Sequence, residues 1–180
     1  MYGMVHKGLQ EMIQEHHGDA TWQAVLDKAQ LSTHTIFSNH SYSDEETFAL
    51  VSAAKDVLSV DATTLLQGFG RYWVTVTAQR YYATLMDASG NSVPTFLRNL
   101  NSVHARLGLI FPGYRPPRFE CSNETESSID VVYRSERVGL TPFVEGLMAG
   151  LGDRFETPLS IELLTSKAAG DDADSFRLSW

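Results

Sequence analysis

The chain has 180 residues, 43% hydrophobic and 20% charged, with 22 acids against 14 bases and a formal net charge of −8. A chain of this size buries roughly 70% of its unfolded surface, which fits one folded domain over residues 1–180 and excludes a disordered tail. The acidic balance, with no Lys/Arg cluster, argues against nucleic acid or an anionic membrane as partner, and no apolar run reaches the ~18 residues of a membrane span.

The first two-thirds has helical periodicity. Asp19 is expected to cap a segment that buries Trp22, Val25, Leu26 and Ala29. Ser43-Asp-Glu-Glu46 is a capping box, and the helix it opens is expected to bury Phe48, Val51, Ala54 and Leu58. Asp61 caps the next helix, with Leu65, Leu66, Phe69, Trp73 and Val76 inward. Ser92 and Pro94 open a helix that runs towards Phe111 and is stopped by Pro112, Gly113, Pro116 and Pro117.

Beyond the prolines the period changes. Strands are expected over Phe119–Ser122, Ile129–Arg134, Leu159–Leu164 and Phe176–Trp180, with one more helix over Pro142–Leu151. The Asp171, Asp172 and Asp174 cluster lacks a full calcium-loop pattern and is expected to be a polar turn joining the last two strands. The fold class is α+β, amino-terminal helices followed by a small, mostly antiparallel sheet with helices packed on it. A single cysteine, Cys121, allows no internal disulfide, and no basic-plus-apolar leader opens the chain. Both point to a reducing, cytoplasmic setting.

Two features carry chemistry. His104 shares a helical face with Leu97, Leu100 and Leu107. Spacing alone leaves a satisfied core histidine and an axial iron ligand both open. In Tyr133-Arg134-Ser135-Glu136-Arg137, an extended backbone would bring Tyr133, Ser135 and Arg137 to one face as a phenol, a hydroxyl and a guanidinium. Such a donor set suits one or two carboxylates, and a solvated strand face is the alternative.

Taken together these pieces resemble the haem-nitric oxide/oxygen binding (H-NOX) domains, which include bacterial gas sensors and the haem domain of the soluble guanylate cyclase β subunit. The resemblance begins at Met1-Tyr2-Gly3, includes Phe69-Gly70 ahead of Trp73, and continues through Leu100-Asn-Ser-Val-His104. It goes on with Phe111-Pro112, Arg115-Pro-Pro117 and Phe119-Glu-Cys121, and ends in Tyr133-Arg-Ser-Glu-Arg137 followed by Gly139-Leu140.

The resemblance implies an iron protoporphyrin held by His104 as proximal ligand, with its propionates clamped by Tyr133, Ser135 and Arg137. Pro117 and Val5 match positions that press on the macrocycle in relatives. The distal pocket falls to Trp73, Phe143 and Leu147. Oxygen-binding relatives have a tyrosine where this chain has Phe143, which cannot donate. The implied function is therefore a ferrous sensor of nitric oxide and carbon monoxide that excludes oxygen. Nitric oxide weakens the bond trans to it, so the implied signal is a loosened iron–His104 bond and a shape change. That change would be passed to a signalling protein such as a histidine kinase or a cyclic-dinucleotide enzyme. His6, His16, His17, His34 and His40 match no family ligand; most are expected to be exposed, and the adjacent His16 and His17 could take a stray metal.

The alternatives are an oxygen-binding haem sensor, a haem enzyme, a non-haem module whose clamp holds another carboxylate, and a purely structural domain. No P-loop, nucleophile elbow or metal-hydrolase motif appears, and neither distal position carries an acid–base residue. The domain itself is thus expected to be a sensor without catalytic output.

Overall fold

A computed structural model describes residues 1–31, 36–111 and 113–180. His34 and Pro112 lie outside them, so the expected helix stop at Pro112 and the expectation for His34 are not addressed. The chain divides into two compact units, Met1–Phe69 and Gly70–Trp180.

The first unit is helical. It holds α1 (Gly3–His17), α2 (Asp19–Lys28), α3 (Asp44–Leu58) and the start of α4 (Ala62–Tyr72). Asp19 does not cap α2: Gly18 occupies that position, and the Asp19 carboxylate accepts from the Gln14 amide at 2.8 Å. The Ser43–Glu46 capping box forms in both directions, at 3.1 and 2.9 Å. The buried stripe of α3, however, is Thr47, Leu50, Ala53 and Ala54, while Phe48 stands exposed and Val51 and Leu58 are half-buried. The expected face was out of phase because Thr47, a polar residue, turns inward to meet a buried partner on α1, His6. Asp61 caps α4 through the Thr64 amide at 2.9 Å.

The second unit continues α4 into a π-helical turn over Trp73–Thr77 and then α5 (Ala78–Asp87). α6 (Val93–Ile110) comes next, opened by the Ser92 hydroxyl and with Pro94 in its first turn, as expected. β1 (Arg118–Ser122), β2 (Ser128–Arg134), α7 (Thr141–Arg154), β3 (Ser160–Thr165) and β4 (Asp174–Ser179) complete it. The strands form one fully antiparallel sheet in the order β1-β2-β4-β3. Alternation puts Ile129, Val131 and Tyr133 of β2, with Phe176 and Leu178 of β4, on the face that packs against Phe96 and Leu97 of α6 and Val144 and Met148 of α7. The aspartates serve the hairpin as polar turn groups: Asp171 accepts from the Ser166 amide, and buried Asp174 accepts from the Lys167 amide and the Thr141 hydroxyl.

α4 and α7 cross with almost no side chain between them. A Cβ on Gly70 would stand 2.2 Å from the Phe143 carbonyl oxygen, and one on Gly150 would stand 2.9 Å from the Val74 Cβ. Only glycine fits either place. The bidentate Arg71–Asp153 pair closes the outside of this crossing.

Candidate functional site

α6 carries His104, and its position is set by what surrounds that helix. Three residues earlier, on the same face, the Asn101 side chain bonds both backbone groups of Phe119, accepting from its amide at 3.0 Å and donating to its carbonyl at 2.5 Å. A side-chain amide thus pins α6 to β1. His104 then reaches the chain just ahead of β1, its Nδ1 3.2 Å from the Pro117 carbonyl oxygen.

A carbonyl only accepts, so Nδ1 is the protonated nitrogen and, in the neutral ring, Nε2 carries the lone pair. Among the described residues no hydrogen bond is made by Nε2. Burial pushes the His104 pKa down to about 4, the Pro117 bond acting the other way, so the ring is neutral at pH 7. A neutral imidazole with one nitrogen fixed by a backbone carbonyl and the other presenting a lone pair is the form in which histidine binds a metal. The rings of Phe119 and Tyr114 flank it, with centroids 6.0 and 6.3 Å away.

The three residues expected to form a clamp, Tyr133, Ser135 and Arg137, do not lie on one extended face. β2 ends at Arg134, so of the three only Tyr133 is in the strand. After it the Ser135 hydroxyl accepts the Arg137 amide at 3.1 Å, a local side-chain turn that competes with further pairing. Lys167 also donates to the Ser135 carbonyl at 2.8 Å. The turn still keeps the three together. Burial raises the Tyr133 phenol pKa, against a hydrogen bond with Ser135 and the nearby Arg137 charge. Arg137 also acts on Tyr114, whose pKa is pushed up to about 12 by burial and by Tyr82. Tyr114 thus lies within electrostatic reach of both Arg137 and Tyr82, which no sequence motif indicated. The one local cue to Tyr82 is backbone geometry, since it breaks α5 at φ −133°, ψ 21°.

The expected distal residues lie where α4 and α7 cross. Trp73 opens the π-turn directly after α4, and Phe143 and Leu147 are one helical turn apart on α7; all three are half-buried. Gly70 lies against the Phe143 carbonyl and the Leu147 amide, which gives the Phe69-Gly70 pair ahead of Trp73 a steric meaning. Val5 is half-buried on α1 in the other unit. Of the remaining described histidines, His16, His17 and His40 are exposed, while His6 is buried. Among the described residues no group of three or more His, Cys, Asp or Glu side chains is placed to hold a metal, and no helix is long and apolar enough to cross a membrane.

Residues 2–163 match the family described as Haem-NO-binding. The chain is 27% identical over 165 residues to soluble guanylate cyclase gcy-31 of Caenorhabditis elegans, covering 91% of this chain and 24% of that protein. It is 24% identical over 157 residues to soluble guanylate cyclase 89Db of Drosophila melanogaster, covering 86% and 23%. The chain therefore spans about a quarter of the length of these relatives. In fold it is similar to an H-NOX protein from S. oneidensis in the Fe(II)NO ligation state, at TM-score 0.89, 20% identity and coverage of 99% and 98%. It is also similar to a mutant of the H-NOX protein from K. algicida in the unliganded Fe(II) state, at TM-score 0.84, 22% identity and coverage of 99% and 96%.

Proposed function

This chain belongs to the haem-NO-binding (H-NOX) family of haem-binding gas sensors, and we propose that residues 1–180 act as one such domain, taking nitric oxide and carbon monoxide and excluding oxygen. The residues present fit a haem. His104 offers a neutral imidazole lone pair for iron, and Tyr133, Ser135 and Arg137 offer the donors that two propionates need. The observation that carries this reading is the Nδ1–Pro117 bond, which fixes the tautomer that a proximal ligand requires. When bound, the haem would supply a ferrous iron that can take a diatomic gas, with His104 the residue that would hold it.

The chain's own residues determine selectivity and output. His104 holds the proximal side, and Pro117 lies beside it through the same hydrogen bond. On the distal side Phe143 brings no hydrogen-bond donor. Phenylalanine there would leave a gas without a donor from position 143, which would favour nitric oxide over oxygen. Because α6 is tied to β1 by Asn101, a change in the pull on His104 acts directly on the sheet. We infer that the signal leaves by this path, towards a separate signalling protein such as a histidine kinase or a cyclic-dinucleotide enzyme, with no catalytic role for the domain itself.

The test is an absorption spectrum of the anaerobically reduced protein, repeated in air and after nitric oxide. A Soret band that ignores air and shifts with nitric oxide supports the proposal. A stable shift in air favours an oxygen sensor instead, and absence of a haem band after expression with haem supplied ends both readings.

A further inference from the structure

Thr77 is 2% exposed, and its hydroxyl has no hydrogen-bond partner among the described residues. A buried threonine in a helix ordinarily bonds the carbonyl four residues back. Two other hydroxyls of this region do so: Thr75 donates to the Arg71 carbonyl at 2.9 Å, and Ser89 to the Leu85 carbonyl at 2.5 Å. For Thr77 that acceptor is the Trp73 carbonyl, which instead takes the amide of Ala78 five residues on, the bond that makes this turn a π-helix. The hydroxyl is left unsatisfied inside the protein, a costly arrangement that recurs where a polar atom awaits a ligand.

Its place in the chain indicates which ligand. Trp73 and Thr77 are four residues apart and so share a face of the turn. The turn itself packs on α7, the helix of Phe143 and Leu147. The run ends at Tyr82, which acts on Tyr114, and Tyr114 flanks the His104 ring. In sequence Thr77 therefore falls between Trp73, one of the expected distal residues, and Tyr82, which acts on the tyrosine beside His104.

We propose that Thr77 is a specificity-determining residue of the gas site, its hydroxyl donating a hydrogen bond to the diatomic ligand. This rests on the haem reading above and deepens it. Phe143 withholds the strong donor on which oxygen depends. Thr77 supplies one neutral bond, which changes affinity by roughly two- to tenfold and so adjusts the choice without reversing it.

The experiment uses the reduced haem protein under carbon monoxide, as wild type, Thr77→Val and Thr77→Ser. Valine keeps the branched shape and removes only the hydroxyl; serine keeps the hydroxyl. The expected result is an upward shift of the carbon monoxide stretching band in Thr77→Val and a roughly two- to tenfold faster loss of the gas, both restored in Thr77→Ser. Without gas, Thr77→Val should unfold at the same or a higher denaturant concentration than wild type, since it removes an unpartnered polar atom. An unchanged band and off-rate in Thr77→Val overturn the role, as does a gas-free Thr77→Val that is less stable than wild type. If wild type binds haem but no carbon monoxide, the gas-sensor reading falls and this inference falls with it.

Discussion

Two histidines, one in each compact unit, share nearly the same electrostatics and differ in which nitrogen is tied. His6 in the first unit and His104 in the second both have pKa values lowered to about 4, in each case chiefly by burial. His6 directs Nε2 at the Thr47 hydroxyl, 2.7 Å away. That hydroxyl spends its one proton on the Ser43 carbonyl at 3.1 Å, so it accepts from His6, and the His6 proton sits on Nε2. His104 has the opposite tautomer, because its Nδ1 faces a carbonyl. One ring uses its outer nitrogen to join α1 to α3. The other keeps its outer nitrogen as a lone pair. Burial and a low pKa are therefore common to both rings; what differs is the nitrogen that each engages.

The largest expected effect that probes this contrast concerns pH. An unfolded histidine binds a proton near pH 6.5, whereas folded His6 binds one only near pH 4. Between these values the unfolded state holds more protons, so stability falls as pH falls. His6 alone accounts for a loss of about 3 kcal/mol across that window. Denaturant unfolding from pH 7 to pH 4 should show this slope in wild type and a shallower one in His6→Asn. Equal slopes would mean that His6 is not held neutral by the fold.

Next in size is the distal side. Phe143→Tyr adds a phenol donor at a position that has none, and the oxygen affinity of the reduced protein should rise roughly ten- to a hundredfold, the worth of about 1.5–3 kcal/mol. Optical titration with oxygen measures it. No gain would mean that position 143 does not face the gas.

Gly70→Ala forces a methyl group against the Phe143 backbone and should cost about 1–3 kcal/mol in the second unit. A chemical-denaturation midpoint equal to wild type would show that the α4–α7 crossing can open. The smallest effect is expected from Arg137→Lys, which keeps the charge but loses the planar fork. Transfer of haem to an acceptor protein should be severalfold faster, and wild-type retention would remove Arg137 from the clamp.

The elements themselves were legible where local chemistry decides them. Ser43 with Glu46, Asp61 and Ser92 with Pro94 each begin a helix through a cap that sequence displays, and the alternation in Ile129, Val131 and Tyr133 marks β2. Where a tertiary partner decides, the sequence was mute. α3 turned its face because His6 gives Thr47 a reason to be inside, which no hydrophobicity pattern contains. β2 ends at Arg134 as expected, but the extended arrangement of Tyr133, Ser135 and Arg137 gave way to a local turn in which Ser135 accepts the Arg137 amide. The π-turn after Trp73 has no residue signature, and Thr77 draws notice only once the acceptor of its hydroxyl is known. The segments that carry the resemblance include His104, Asn101 and Gly70, but the Asn101 bonds to Phe119 and the Gly70 contact with Phe143 are visible only in the folded chain.

The most direct measurement is the iron–histidine stretching band of the anaerobically reduced protein, compared across wild type, His6→Asn and His104→Gly. The band should be present and unshifted in His6→Asn, absent in His104→Gly, and restored to His104→Gly by added imidazole. A band that survives in His104→Gly, or disappears in His6→Asn while haem is retained, would contradict the assignment of His104 as the proximal ligand.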